Sequence, residues 1–415
     1  EELARMQRLY PDVYNFCPET WHLPADRDAI RARLESGGVC IVKPAGGTHG
    51  ASISLVRQVA ELDAAYRGLQ SKGTEQAVVQ EYLASPLLMD GFKFDLRVYA
   101  LVLSVNPLRF CVAREGLVRL CTEPYTDGAP WRPCAHLTNY AVNRTNKSYE
   151  VTGDPAHLAD ATVGTKRLLS SVLGRIEKER GVARETLWRS IDEVVRCTLL
   201  AFEPGLSDAY TAMQGAEDQG RSCFQILGFD VIFDTTLRPF LLEVNNNPSL
   251  SLEYDQTPAP PPWQRRRGER SVSPQRERAR GRSPRRAKDG PARSGQDNVA
   301  VETTEPAAAT GGGGVPSVVD EAAKVDMVVA SLDIAARDAT AALQPEQIRE
   351  LSRGLFIPYV TEPPSLLMRV RRLIKTHVPD PPTPANIQAF RRWVKGTGLI
   401  NSVPNTGADT AEGGG

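Results

Sequence analysis

Along the first 256 residues, short apolar runs alternate with polar breaks marked by Gly and Pro, and the runs switch between helical and extended period. Arg27 to Ser36 has helical spacing and closes on Gly37-Gly38. Val39 to Lys43 is a short apolar strand. Ser54 is expected to open a helix reaching about Ser71, with Leu55, Val59, Leu62 and Tyr66 near helical spacing. Further strands are expected at Ala77 to Leu83, at Phe94 to Ser104 and, after the turn at Asn106-Pro107, at Leu108 to Ala113. Thr165 to Arg180 and Leu187 to Ala201 read as helices, and Gln225 to Phe233 with Pro239 to Val244 as two strands joined by a tight turn. Short helices mixed with mostly antiparallel strands make an α+β protein.

The pattern stops after Tyr254. A proline-rich stretch, an Arg/Ser/Pro stretch and four consecutive glycines before Val315 hold almost nothing that could bury a core, so about 257–316 reads as a disordered linker. Helical pattern returns from Pro316 to Val360, with Val319, Ala323, Val325 and Val329, and fades beyond Pro379 into a frayed tail.

The 415 residues suffice for two or three domains, and 41% hydrophobic content is ordinary for a globular chain. A formal net charge of zero hides an asymmetry: Arg265 to Arg293 holds eleven Arg and one Lys against Glu269, Glu277 and Asp289. Three readings stay open for that strip: attraction to an acidic partner, binding of RNA or another polyanion, and a solvated linker without a partner. Aromatic residues for base stacking are lacking beyond Trp263, which disfavours nucleic acid. Seven cysteines without a C-x-x-C pair, and only five His, argue against zinc and for reduced core thiols. No apolar run reaches the ~18–20 residues of a membrane helix. Without a signal peptide or an initiator Met, the chain is expected to start inside a longer protein.

Three segments carry chemistry. In the first, a strand delivers Lys43 to a loop containing Gly46, Gly47 and Gly50, which fits either a phosphate-binding loop or an ordinary turn. In the second, alternation puts Lys93, Asp95 and Arg97 on one face of a strand whose other face is Phe94, Leu96 and Val98. That face is either a salt-bridged solvated surface or a polar site for phosphates and metal. In the third, Asp230 lies within a strand of Phe, Val and Ile, while Glu243 and Asn245 share a face of the returning strand. If those strands pair, two carboxylates and an amide oxygen form a hard donor set suited to Mg²⁺; the alternative is a single buried Asp satisfied by backbone donors.

These elements, in this order, resemble the ATP-grasp ligases. Trp21 to Pro24 (WHLP), Ile41 to Pro44 (IVKP), Lys93 to Arg97 (KFDLR), Arg114 to Arg119 (REGLVR), His136 to Tyr140 (HLTNY) and Leu242 to Ser249 (LEVNNNPS) resemble the tubulin tyrosine ligase-like family. Phe224 to Asp230 with Asn245 to Pro248 is most similar to its polyglutamylase branch. The resemblance implies ATP and Mg²⁺ as cofactors, free L-glutamate as a substrate, and tubulin, through its acidic C-terminal tails, as acceptor. It implies that Lys43 and Lys93 hold phosphates, with His49, Gly50, Phe94 and Asp95 nearby, and that Gln80, Glu81, Tyr82 and Leu83 line the adenine pocket. Thr138 and Asn139 would contact the nucleotide, Asp230, Glu243 and Asn245 would bind magnesium, and Arg97 would steady the transferring phosphate. Arg119, Tyr140, Ala141, Lys166 and Lys324 would hold glutamate. Lys43, Arg97 and Glu243 would carry catalysis. Departures stand at His49, Ser52 and Ala141, where the family commonly has Arg, Gly and Ser.

The implied organisation is an N-terminal remnant (1–24), two ATP-grasp subdomains holding the nucleotide between them (25–85 and 86–256), the basic linker (257–316), a helical segment completing the ligase (317–378) and a tail (379–415). A monomer working in the cytoplasm on the cytoskeleton, with a cilium or basal body as a further setting, is the matching expectation.

Overall fold

Two antiparallel sheets carry the described part of the computed structural model, residues 2–46, 52–127, 131–214, 223–254, 315–340, 343–353 and 355–360. Contacts divide the chain into Glu1–Glu253 with Pro316–Gly415, and Tyr254–Val315. Both sheets belong to the first of these units.

After helix α1 (Glu2–Leu9), the small sheet contains β1 (Thr20–Leu23), β2 (Cys40–Pro44), β3 (Ser54–Val56) and β4 (Ala77–Glu81) in the order β1-β4-β2-β3. Helices α2 (Arg27–Glu35) and α3 (Val59–Gln70) cover it, burying Ile30, Leu34, Leu62 and Leu69 against Cys40, Val42 and Val79. This sheet begins before residue 25, since Trp21 pairs with Val79.

In the large sheet, β6 (Phe92–Val105) lies between β7 (Leu108–Leu120) and β9 (Gln225–Phe233), with β10 (Pro239–Asn245) beyond β9. The strand Phe356–Val360 pairs with β7, and two short strands, β5 (Leu88–Met89) and β8 (Lys166–Leu168), pair with β6 and β7. Alternation along β6 sets up two cores. Phe94, Leu96, Val98, Ala100 and Val102 face a cluster with α6 (Leu169–Arg180) and α7 (Arg184–Gln214). On the opposite face, Tyr99, Leu101 and Leu103 meet Met327 and Ile334 of the long C-terminal helix Val318–Thr340, Ile348 of Pro345–Leu351 and Phe356. Each large side chain removed from water here contributes about 1.5–3 kcal/mol.

The structure corrects several expected elements. Ser54 opens no helix: Ser54–Val56 pairs with β2, and the helix starts at Val59. Leu55 is buried on that strand, so the apparent helical spacing straddles two elements. Lys166–Leu168 is likewise a strand on β7, and the helix begins at Leu169. The β7 strand runs on past Ala113 to Leu120 because its second half pairs with Phe94 to Val98 of β6. Helix α7 continues through Pro204 to Gln214. The segment 317–378 is not purely helical, since Phe356–Val360 joins the sheet. Of the expected linker, Val315–Pro316 is a short strand. Residues 257–314, 361–378 and the tail 379–415 lie outside the described residues.

Among the described residues, no helix is long and apolar enough to cross a membrane. Cys40, Cys111, Cys121 and Cys197 are buried free thiols, Cys17 and Cys134 are half-buried and Cys223 is exposed.

Candidate active site

Strand register assembles the site. Asp95 on β6 stands opposite Arg119 on β7, Arg97 on β6 opposite Asp230 on β9, and Asp230 opposite Glu243 on β10. Residues opposite one another in an antiparallel pair are close enough to bond. A row of charges therefore crosses four strands on one face. Arg97 donates to both oxygens of Asp230, through Nε at 2.5 Å and Nη2 at 3.1 Å. Arg119 donates through Nε to Asp95 Oδ1 at 2.9 Å, through Nη2 to Asp95 Oδ2, and through the same Nη2 to Asp230 Oδ2 at 2.7 Å. Burial alone would raise the Asp230 carboxyl, but Arg119 and Arg97 hold it well below the usual carboxylate range.

Glu243 completes the row on its open side. Desolvation, and then the negative charge of Asp230, push its carboxyl up. Asn245 donates to Glu243 Oε1 at 3.2 Å and approaches Asp230 Oδ2 at 3.5 Å. Two carboxylates side by side, with the arginines drawn to Asp230 and Asp95, leave Glu243 short of positive charge. The donor chemistry of Asp230, Glu243 and Asn245, two carboxylates and an amide, therefore fits Mg²⁺. Among the described residues, no group of three or more His, Cys, Asp or Glu side chains could hold a metal, so any ion here relies on the amide.

Gly228 permits this packing. A Cβ on it would lie 2.9 Å from Pro248 Cβ and 3.1 Å from Arg97 Cδ. The glycine of the LGFD motif, given no role from sequence, lets Arg97 and the Asn-Asn-Pro turn close on β9 together.

The lysines come from both sheets. Lys43 on β2 donates to Gln80 Oε1 at 3.0 Å. Burial lowers its pKa, and the charges of Glu243 and Asp230 offset part of that. Lys93 is buried; its Nζ donates to Tyr82 Oη at 3.0 Å and lies 4.4 Å from the Tyr82 ring centre. Desolvation brings this ammonium down to about 8. Tyr82 Oη also meets His136 Nδ1 at 2.9 Å. His136 stacks on Trp131 with 5.3 Å between ring centres, and desolvation takes its imidazole down to about 4, so it is neutral at neutral pH. In the sequence His136 stands only as the first residue of a motif, and no sequence signal marks its bond to Tyr82.

Of the expected adenine-pocket residues, Glu81 and Tyr82 already use their backbone N–H groups, on Glu19 O and Val39 O. The Glu81 side chain pairs with Arg33. Phe94 faces away from the charged row into the apolar core beneath the sheet. His49 and Gly50 lie outside the described residues. Leu83 is half-buried, and Asn139 caps the short helix Tyr140–Asn143, its carbonyl accepting from Asn143.

Beside Arg119 lies a small cavity of about 10 Å³, room for about one water, lined by Arg119, Thr138, Tyr140, Asn143, Thr165 and Lys166. Three residues expected to hold glutamate thus line one space. Lys166 Nζ lies 4.6 Å from the Tyr140 ring centre. Ala141, the next residue of that short helix, is half-buried and is not part of the lining. Lys324 is also off the lining: its ammonium donates to Ser251 O at 2.8 Å and pairs with Asp320 Oδ1 at 2.6 Å.

The family model of the tubulin-tyrosine ligase family matches residues 1–259. The chain is 39% identical over 266 residues to Tubulin polyglutamylase TTLL11 of Homo sapiens, which covers 61% of this chain and 36% of that protein. It is 36% identical over 258 residues to Probable beta-tubulin polyglutamylase of Tetrahymena thermophila, covering 60% and 20%. It is 37% identical over 256 residues to Tubulin polyglutamylase ttll6 of Danio rerio, covering 60% and 31%. The chain therefore spans between a fifth and about a third of the length of these relatives.

Proposed function

The chain belongs to the tubulin-tyrosine ligase family, with its ATP-grasp-like α+β fold, and from that premise we propose that it is an ATP-dependent ligase joining free L-glutamate to a glutamate side chain of tubulin. The observation that carries the reading is the charged row from Arg119 to Glu243, with Arg119, Tyr140 and Lys166 converging on one small cavity at its Arg119 end.

In this reading the nucleotide lies between the two sheets, with Lys43 and Lys93 supplying positive charge to its phosphates. Asp230, Glu243 and Asn245 would hold magnesium, which would supply charge neutralisation at the phosphates. Arg97 lies next to Asp230 and stabilises charge on the transferring phosphoryl oxygens. The acceptor carboxylate takes the γ-phosphoryl group of ATP, the β,γ P–O bond breaks to release ADP, and the carboxylate becomes an acyl phosphate. The amine of free glutamate then attacks its carbonyl carbon, forming the amide and releasing phosphate. Arg119, Tyr140 and Lys166 hold the carboxylates of the incoming glutamate, so its amine faces the acyl carbon. Positioning and electrostatics do this work, and no covalent enzyme nucleophile is needed. The place of action is the microtubule cytoskeleton.

The test is incubation with microtubules, Mg-ATP and radiolabelled glutamate. Label entering tubulin with the wild type but not with Glu243→Gln supports the ligase. Label from glycine in place of glutamate would reassign the amino acid, and absence of both labels with ATP still bound would sink the catalytic reading.

A further inference from the structure

Asp320 takes no part in the proposed ligase chemistry, yet its surroundings are unusual for a carboxylate. It is fully buried at the start of the helix Val318–Thr340, beyond the span that the family model matches. Its Oδ2 accepts from Lys166 Nζ at 2.7 Å and from Ser317 Oγ at 2.5 Å, and its Oδ1 lies 2.6 Å from Lys324 Nζ. Ser317 Oγ in turn caps the helix by accepting from Asp320 N at 3.1 Å. Val319 and Ala323 fix this first turn against Leu117 and Leu168, and Ser317 N donates to Leu252 O at 2.8 Å.

We infer that Asp320 is a positioning residue of the amino-acid site: it aims Lys166 into the cavity beside Arg119 and, by sharing its charge with Lys324, leaves the cluster net positive toward an incoming carboxylate. The proposal rests on the glutamate reading of that cavity. The electrostatics follow from counting. An Asp320–Lys166 pair alone would be neutral to an anion. With Lys324 on the second oxygen, two ammonium groups share one carboxylate, and the surplus charge stands at Lys166, the one lysine that lines the cavity among the described residues. Burial works against the Lys166 ammonium, and the Asp320 carboxylate bonded to it offsets part of that cost. Lys324 thereby acts on the substrate through Asp320 rather than by contact.

The test is equilibrium binding of L-glutamate and, separately, of a non-hydrolysable ATP analogue with Mg²⁺, measured by calorimetry on the full chain. Asp320→Asn is expected to weaken glutamate at least tenfold and the nucleotide less than twofold. Lys324→Met is expected to weaken glutamate several-fold, and adding it to Asp320→Asn to cause no further loss. Where Asp320→Asn does not fold, Lys324→Met alone decides. Glutamate affinity unchanged in the variants, or both ligands weakened equally, overturns the positioning role while the glutamate reading stands. A wild type that binds the nucleotide but no glutamate overturns both.

Discussion

Arg109 and Arg119 sit at opposite ends of β7, and the way each is paired separates a structural ion pair from a site. Arg109 is closed one-to-one. It donates to Asp338 at 2.6 and 2.7 Å and to Leu343 O at 2.7 Å, under the C-terminal helix and beside the apolar core. Arg119 is shared between Asp95 and Asp230, Asp230 is shared with Arg97, and the chain of charges ends on Glu243, whose carboxyl is raised rather than lowered. Both arginines are buried or nearly so, so burial alone does not mark function. What sets the second arginine apart is the unfinished charge balance of the row it belongs to.

The largest expected effect breaks the closed end. Asp338→Ala leaves Arg109 buried without its carboxylate and is expected to cost about 3–5 kcal/mol in urea unfolding. The double change Arg109→Met with Asp338→Leu should recover most of it, because the pair contributes little beyond its own neutralisation. At the open end the same logic predicts loss of activity without loss of stability. Glu243→Gln should lower glutamate incorporation at least about 100-fold, with an unfolding midpoint equal to or above that of the wild type. A matching drop in stability would make the row a structural lattice like Arg109–Asp338.

Lys93 gives a pH test of the same idea. Its ammonium is brought from 10.5 to about 8, a depressed value, so keeping it charged in the fold costs stability below that range. Lys93→Met should therefore be more stable than the wild type by roughly 3 kcal/mol at pH 7. The difference should shrink as pH rises from about 8 and vanish near 10.5, while the variant loses affinity for the nucleotide. A pH-independent difference would mean that packing, not charge, separates the two proteins. The smallest effect is expected from Gly228→Ala. Crowding against Pro248 and Arg97 should cost about 1 kcal/mol and reduce activity several-fold by displacing Arg97.

Much of the site is legible in the sequence because a strand has a strict period of two. Lys93, Asp95 and Arg97 have to share one face, as do Glu243 and Asn245, whatever the rest of the fold. The Ser54 and Thr165 segments depart from expectation for the complementary reason. Each joins a three-residue strand to a helix, and a run so short carries no period of its own. Its extended state is decided by the neighbouring strand that bonds it.

The sequence by itself determined the α+β class, the charged faces and the residues that carry the family resemblance, since these depend on local period and residue identity. Only the tertiary structure decided the pairings. Register across β7, β6, β9 and β10 gives Arg119 to Asp95 and Asp230, and Asp230 to Glu243. The fold also returns Asp320 and Lys324 to Lys166 across the long segment after Tyr254. Residues far apart along the chain have no local preference for one another, and it is the burial of Val319 and Ala323 against the sheet that brings these charges together.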